Sequence, residues 1–151
     1  MSTVSASPGT EEQTAADTTA DELAIRNLIA RLAQFADMAP IDGLDDYIAC
    51  FTDEASWEMG DIVNRGKEAL LEAARERRRG GQQGPGTNSR HVITTIAVSV
   101  DGSDTATSDA YFLAFGDTTG SPHVKIMGHY HDTFRRTPDG WKLARRQITV
   151  G

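Results

Sequence analysis

From Arg90 to its last residues the chain reads as strands separated by turns, and no helical period interrupts them. Runs at about Arg90–Val100, Thr105–Gly116, Val124–Arg136 and Trp141–Val150 have strand character, and Asp101-Gly102 and Asp139-Gly140 carry the residue pair of a tight hairpin. Everything helical lies upstream. Helices gathered first and a strand meander second predict an α+β domain, because parallel βαβ architecture needs the two to alternate.

The upstream half has its own punctuation. Thr19 and Glu22 have capping-box spacing, and Leu23, Leu28, Ile29, Leu32 and Phe35 then recur at helical intervals to about Met38. Pro40 interrupts, and Asp42 is placed to cap a short second helix carrying Leu44, Tyr47, Ile48 and Phe51. Ala55–Met59 reads as a short strand closed by Gly60-Asp61. A third helix is predicted over Lys67–Arg79, with Ala69, Leu70, Ala73 and Ala74 on its apolar side. Its basic end, Arg75, Arg77, Arg78 and Arg79, suits the negative pole of a helix. The stretch Gly80–Asn88 holds four glycines and a proline and is expected to be a loop, a flap or plain slack.

Residues 1–18 are rich in Ser, Thr, Ala, Glu and Gly without apolar periodicity, so a disordered tail is expected there and a single domain over 19–151. Of the 151 residues 38% are hydrophobic, enough for a core, and no stretch approaches the ~20 apolar residues of a membrane span. A net charge of −7 disfavours contact with phosphate backbones, so nucleic acid is not an expected partner. One cysteine, Cys50, and no secretory leader pattern predict a reducing, cytoplasmic address.

Alternation assigns the strand faces. Val124, Ile126, Gly128, Tyr130, Asp132 and Phe134 share the more apolar side of their strand, so Tyr130 and Asp132 are polar groups on a core-facing surface. They must satisfy each other and a neighbour, or line a pocket. Asp132 is expected to pair with Arg145. His129 and His131 fall on the opposite face, where no carboxylate or third His is expected beside them, so no metal site is predicted. The strand from His91 is apolar on both sides, which suggests a partner subunit packed outside it.

Phe51-Thr-Asp-Glu-Ala-Ser-Trp57, Gly66-Lys-Glu-Ala-Leu70, Arg90-His91, Gly128-His-Tyr-His-Asp-Thr-Phe-Arg135 and Asp139-Gly-Trp-Lys-Leu-Ala-Arg-Arg146 follow one another in an order that resembles SnoaL-like proteins. These belong to the nuclear-transport-factor-2-like superfamily, with scytalone dehydratase and hexachlorocyclohexane dehydrochlorinase among its enzymes. The resemblance spans about Asp21 to Val150. It implies N-terminal helices packed into a strongly curved antiparallel or mixed sheet, a cone-shaped barrel with an internal pocket. It also implies a homo-oligomer, dimer or trimer.

In those enzymes a His on a central strand pairs with an Asp near the end of the first helix. The matching positions are His91 and Asp37. Without the resemblance, the same residues read as a structural His bonded to a helix-end carboxylate. With it, they form a catalytic dyad: a neutral imidazole is a base suited to neutral pH, and a carboxylate on its other nitrogen fixes the tautomer and stabilises the imidazolium. Tyr130 is the candidate donor to a leaving group or oxyanion. Trp57, Tyr111, Asp132 and Phe35 are candidate pocket-lining residues. The tyrosines that scytalone dehydratase offers from helix one and the first strand are replaced here by Phe35 or Ala36 and by Trp57, which disfavours scytalone as substrate.

The expected function is a cofactor-independent lyase, a dehydratase or related eliminase, acting on a small hydrophobic substrate with rings among the candidates. An isomerase or hydrolase in the same pocket, or a non-catalytic small-ligand-binding or assembly domain, is the alternative. No organic cofactor and no metal is expected, since no phosphate-binding loop, activated Ser or Cys nucleophile, or Cys/His cluster stands in the sequence.

Overall fold

The structure, a computed structural model, describes residues 9–151, with side chains from Thr18 onward. Three helices, α1 (Gly9–Met38), α2 (Asp45–Ala49) and α3 (Lys67–Arg79), accompany six strands, β1 (Phe51–Met59), β2 (Ile62–Arg65), β3 (Arg90–Asp101), β4 (Thr105–Gly116), β5 (His123–Thr137) and β6 (Gly140–Val150).

The helix α1 does not start at Thr19. It is continuous from Gly9, so the expected tail is helical from there, and the first eight residues of the chain lie outside those described. Residues 11–16 are Ala, Glu, Gln and Thr; the good helix formers among them extend a helix whose costly nucleus is already held by packing downstream. At the other end the ring of Pro40 disfavours helical geometry at Ala39, and the last bond runs from the Ala39 N–H to the Phe35 carbonyl at 3.0 Å.

The strands form one open sheet in the order β2-β1-β6-β5-β4-β3, antiparallel throughout except for the parallel β1–β6 pair. α1 packs on both β3 and β6, so the sheet curves around it. Ile25, Ile29 and Leu32 of α1 are buried against Phe51, Phe134 and Leu143 from the sheet and Leu70 and Ala74 from α3. Each large aliphatic side chain so placed contributes about 2 kcal/mol through the area removed from water. Asp21 ties α1 to the β5–β6 hairpin, accepting hydrogen bonds from Trp141 Nε1 (3.0 Å) and Arg136 Nη2 (2.6 Å).

Two further elements differ from the sequence expectation. Phe51 opens β1 rather than closing the second helix, and its buried ring meets Tyr47 edge-on at 5.2 Å. The four-residue β2 pairs with β1 through Gly60-Asp61; a strand so short, with exposed Ile62 and Val63, carries little alternation to detect.

Candidate active site

Two β-bulges decide which side chains enter the concave side. In β3 the register slips between Thr94 and Ala97, with Thr95 at φ 53°. A β-branched residue in the left-handed region is strained, by about 1–3 kcal/mol, and the extra residue inverts the alternation. His91 and Ile93 therefore share the inner face with Ile96, Val98 and Val100. The two apolar sides of this strand are one inner face cut by a bulge, which corrects the reading that a partner must cover the second. In β6 the slip lies opposite Thr133 and Phe134, so Leu143 and Arg146 both point inward while Arg145 points out.

The β6 bulge overturns the expected Asp132–Arg145 pair. Asp132, 1% exposed, instead receives two parallel hydrogen bonds from Arg146, Nε to Oδ1 at 2.9 Å and Nη2 to Oδ2 at 2.8 Å, while Arg145 reaches Glu58 at 2.9 Å. The Arg146 guanidinium lies 3.9 Å from the centre of the Tyr130 ring, and Tyr130 stacks on Phe112 with centroids 4.4 Å apart. Burial pushes the Tyr130 phenol up to about 12, against the pull of Arg146, so it stays protonated and able to donate at neutral pH. Gly128, opposite Phe112 in the ladder, permits this stack: a Cβ there would come within 2.5 Å of the Phe112 ring.

Asp37 and His91 meet. The His91 backbone N–H donates to Asp37 Oδ2 at 2.9 Å, and His91 Nδ1 stands 2.6 Å from Oδ1. Asp37 is 4% exposed, near the end of α1. Arg78 of α3 fixes that helix end, donating from Nη2 to the Phe35 and Ala36 carbonyls, both at 3.0 Å, and from Nε to the Ala39 carbonyl at 2.8 Å. The basic end of α3 thus caps a different helix from its own, through Arg78.

The other ring nitrogen of His91 faces Gln83. Gly81, at φ 70°, helps end α3, and the Gln82 N–H closes its last turn on the Arg77 carbonyl at 2.8 Å. Gln83 follows directly, its Oε1 accepting from Arg77 Nε at 3.1 Å and its amide nitrogen 3.5 Å from His91 Nε2. Arginine can only donate, so the Gln83 amide is oriented with its NH2 toward the imidazole. His91 Nε2 must then accept, and Nδ1 carries the proton toward Asp37. That is the tautomer of a general base, with its lone pair under a contact long enough for a substrate to displace.

Nε2 opens on a cavity of about 470 Å³, within the usual range of small-molecule sites. Leu32, Trp57, Ile93, Phe112 and Ile148 supply its apolar wall, and Tyr47, Tyr130, Arg146 and His91 are polar groups on it. Of the sequence candidates, His91, Tyr130 and Trp57 line this space. Asp37 stands behind His91. Asp132 is sealed behind Arg146, and Phe35 packs into the core instead. Tyr111 is 46% exposed on the outer face, against His129, and does not line the cavity. Its neighbours there correct a second expectation: Asp109 does share a face with His129 and His131, one oxygen accepting from both rings at 3.0 and 2.8 Å. Among the described residues no group of three or more ligand types converges on a metal position. Tyr47, Arg77, Gln83 and Arg146 are not singled out as cavity residues by the sequence, although Arg146 ends one of the family motifs; each enters the cavity by tertiary placement.

No helix among the described residues is long and apolar enough to cross a membrane. A family model described as a SnoaL-like domain matches residues 17–147. Among solved structures, an NTF2-like protein with a cystatin-like fold from Novosphingobium aromaticivorans superposes with a TM-score of 0.81 at 23% identity, covering 97% of this chain and 92% of that one. A protein of unknown function from Mycobacterium tuberculosis gives 0.74 at 25% identity over 91% and 75% of the two chains. A Novosphingobium aromaticivorans protein provisionally named a scytalone dehydratase gives 0.69 at 17% identity over 90% and 88%. At these identities the first and third likenesses concern the fold alone. No curated protein matches the chain.

Proposed function

We propose that this chain, which belongs to the SnoaL-like domain family, is a cofactor-independent lyase that eliminates water or a similar leaving group from a small hydrophobic, cyclic substrate. The observation that carries the reading is the Asp37–His91 pair, with Asp37 holding the ring at Nδ1 and the residue's backbone N–H with its other oxygen, and Nε2 facing an apolar cavity. His91 Nε2 takes a proton from a carbon next to an activating group, and that C–H pair becomes the new double bond as the C–O bond breaks. Asp37 stabilises the imidazolium so formed. Tyr130, a neutral phenol whose burial moves it further from ionisation, hydrogen-bonds the departing oxygen or the developing enolate. The proton on His91 then leaves with the hydroxide as water.

Substitution His91→Gln tests this directly. A panel of hydroxylated and halogenated rings is assayed for elimination with both proteins. Unchanged turnover in a folded His91→Gln variant refutes the base. Product mass separates the neighbouring chemistries, since an isomerase leaves it unchanged and a hydrolase adds water. A ligand-holding domain without chemistry would bind panel members and convert none.

The chain is also proposed to assemble as a homo-oligomer through the outer sheet face. Val92, Leu113 and Met127 lie side by side across β3, β4 and β5, and Val92 and Met127 are about half exposed. Sedimentation giving a clean monomer would remove this part.

A further inference from the structure

The cavity wall carries four cations, Arg77, Arg90, Lys125 and Arg146, and no Asp or Glu, in a chain whose net charge is −7. Only Arg146 is neutralised, by Asp132 behind it. Among the described residues none of the other three has a carboxylate partner. Arg77 leans over Trp57 at 5.5 Å and gives its Nε to Gln83, and its terminal nitrogens have no hydrogen-bond partner among the described residues. Arg90 binds only the Ser89 carbonyl, at 2.8 Å. Arg90 stands opposite Phe115, and Lys125 is the residue bulged out of β5 next to that same Phe115. The Lys125 stem lies over Gly116, where a Cβ would come within 2.6 Å of it, so its placement depends on a glycine beneath.

The distribution is two-ended. The interior is apolar and aromatic, and the exposed rim formed by the starts of β3 and β5 and the end of α3 is cationic. Unpaired cations on the rim of a low-dielectric cavity raise the local concentration of anions and favour their approach. We infer that the cavity takes an organic anion, a ring system seated against Trp57, Phe112 and Ile148 whose ionised acid group stays at the rim among Arg77, Arg90 and Lys125. The inference rests on reading this cavity as the ligand site, and it adds the substrate's charge and orientation. Gln83 touches both Arg77 and His91, so an acid group held at the rim lies beside the base rather than at the far end of the cavity from it.

The test uses 2-naphthoate and 2-naphthamide, near-isosteric molecules that differ in charge, with binding measured by calorimetry on the full chain. Three partly solvated charge contacts together amount to about a tenfold preference for the acid. That preference shrinks as salt rises, while amide binding stays flat. It disappears in the Arg77→Gln/Arg90→Gln/Lys125→Gln variant and is reduced in Arg90→Gln/Lys125→Gln, which leaves the Arg77–Gln83 contact alone. Equal affinity for the two molecules, failure of the acid to bind, or a preference undiminished in a folded triple variant overturns the inference. The wild-type comparison stands even if the triple variant does not fold. Binding is measured again in His91→Gln: an acid preference kept there beside unchanged turnover would sink the elimination reading and leave this one intact.

Discussion

Asp37 engages a single residue, His91, with both of its carboxylate oxygens: one accepts from the backbone N–H at 2.9 Å and the other lies 2.6 Å from Nδ1. The ring is thereby fixed in position through the main chain and in tautomer through the side chain. The end of α1 and the start of β3 are joined at the one point where the cavity has a base. Asp37→Asn keeps the shape and removes this logic, because an amide presents only one acceptor to two donors. We expect kcat to fall by about 10³–10⁴, with KM changed far less, as when a His–Asp pair loses its correct tautomer. Nitrogen NMR of His91, which needs no substrate, should show the proton moving to Nε2. A ring still protonated at Nδ1 in the variant would contradict the argument.

Arg78 acts on that pair from a distance. Its guanidinium holds the carbonyls of Phe35, Ala36 and Ala39, which flank Asp37 in sequence, and the Ala74 carbonyl of its own helix at 3.0 Å. Replacing it with Ala leaves the end of α1 without these donors, which should cost about 2–3 kcal/mol of stability by urea unfolding. Arg78→Lys should recover less than half of this, since an ammonium cannot span carbonyls on two helices as a planar fork does. The readout specific to positioning is the His91 Nδ1 proton resonance. It should shift or broaden in Arg78→Ala, and a resonance identical to wild type would reduce Arg78 to a stability element.

The buried Asp132–Arg146 pair offers a sharper contrast. Removing one partner strands a charge in the interior, and Asp132→Leu should destabilise by about 3–5 kcal/mol. The double substitution Asp132→Leu/Arg146→Met should regain most of that loss, because a hydrophobic replacement of the whole pair avoids the stranded charge. Denaturant midpoints of the three proteins decide it; a double variant no more stable than Asp132→Leu would show that the pair supplies stability of its own.

What is legible in the sequence divides along these same residues. Helices before strands, the four long strand runs and the hairpin turns follow from local chemistry, and the observed sheet has them close to the expected bounds. Asp37 and His91 stand out only through their place in a family pattern, 54 residues apart, and the geometry brings them together. Two of the errors share one physical origin. Unbroken alternation along β3 divides its apolar residues between two faces, and the expected Asp132–Arg145 pair takes no account of an irregular β6, but each strand holds a bulge that resets which side chains face inward. A bulge leaves almost no trace in composition; Thr95 is a β-branched residue in the left-handed region, an occupant that sequence preferences argue against. Arg77 and Gln83 are invisible for another reason. Their roles depend on how α3 ends over the cavity, which no local pattern encodes.

Tyr130 gives the pH dependence its sign. Its phenol is pushed up to about 12 from an ordinary 10.0, with burial as the main cause, and the Arg146 charge pulls the other way. The unfolded chain therefore loses this proton at about pH 10 while the native chain keeps it. Between those values the native state binds more protons than the unfolded state, so stability falls as pH rises. The contribution is fully present below pH 10 and lost on approach to pH 12. Two pH units correspond to about 3 kcal/mol. Tyr130→Phe has no phenol to titrate and should show a flatter alkaline limb when unfolding free energy is followed by denaturant from pH 8 upward. Parallel limbs for the two proteins would mean that the Tyr130 hydroxyl reaches solvent through the cavity and is not buried as its neighbours Phe112 and Arg146 imply.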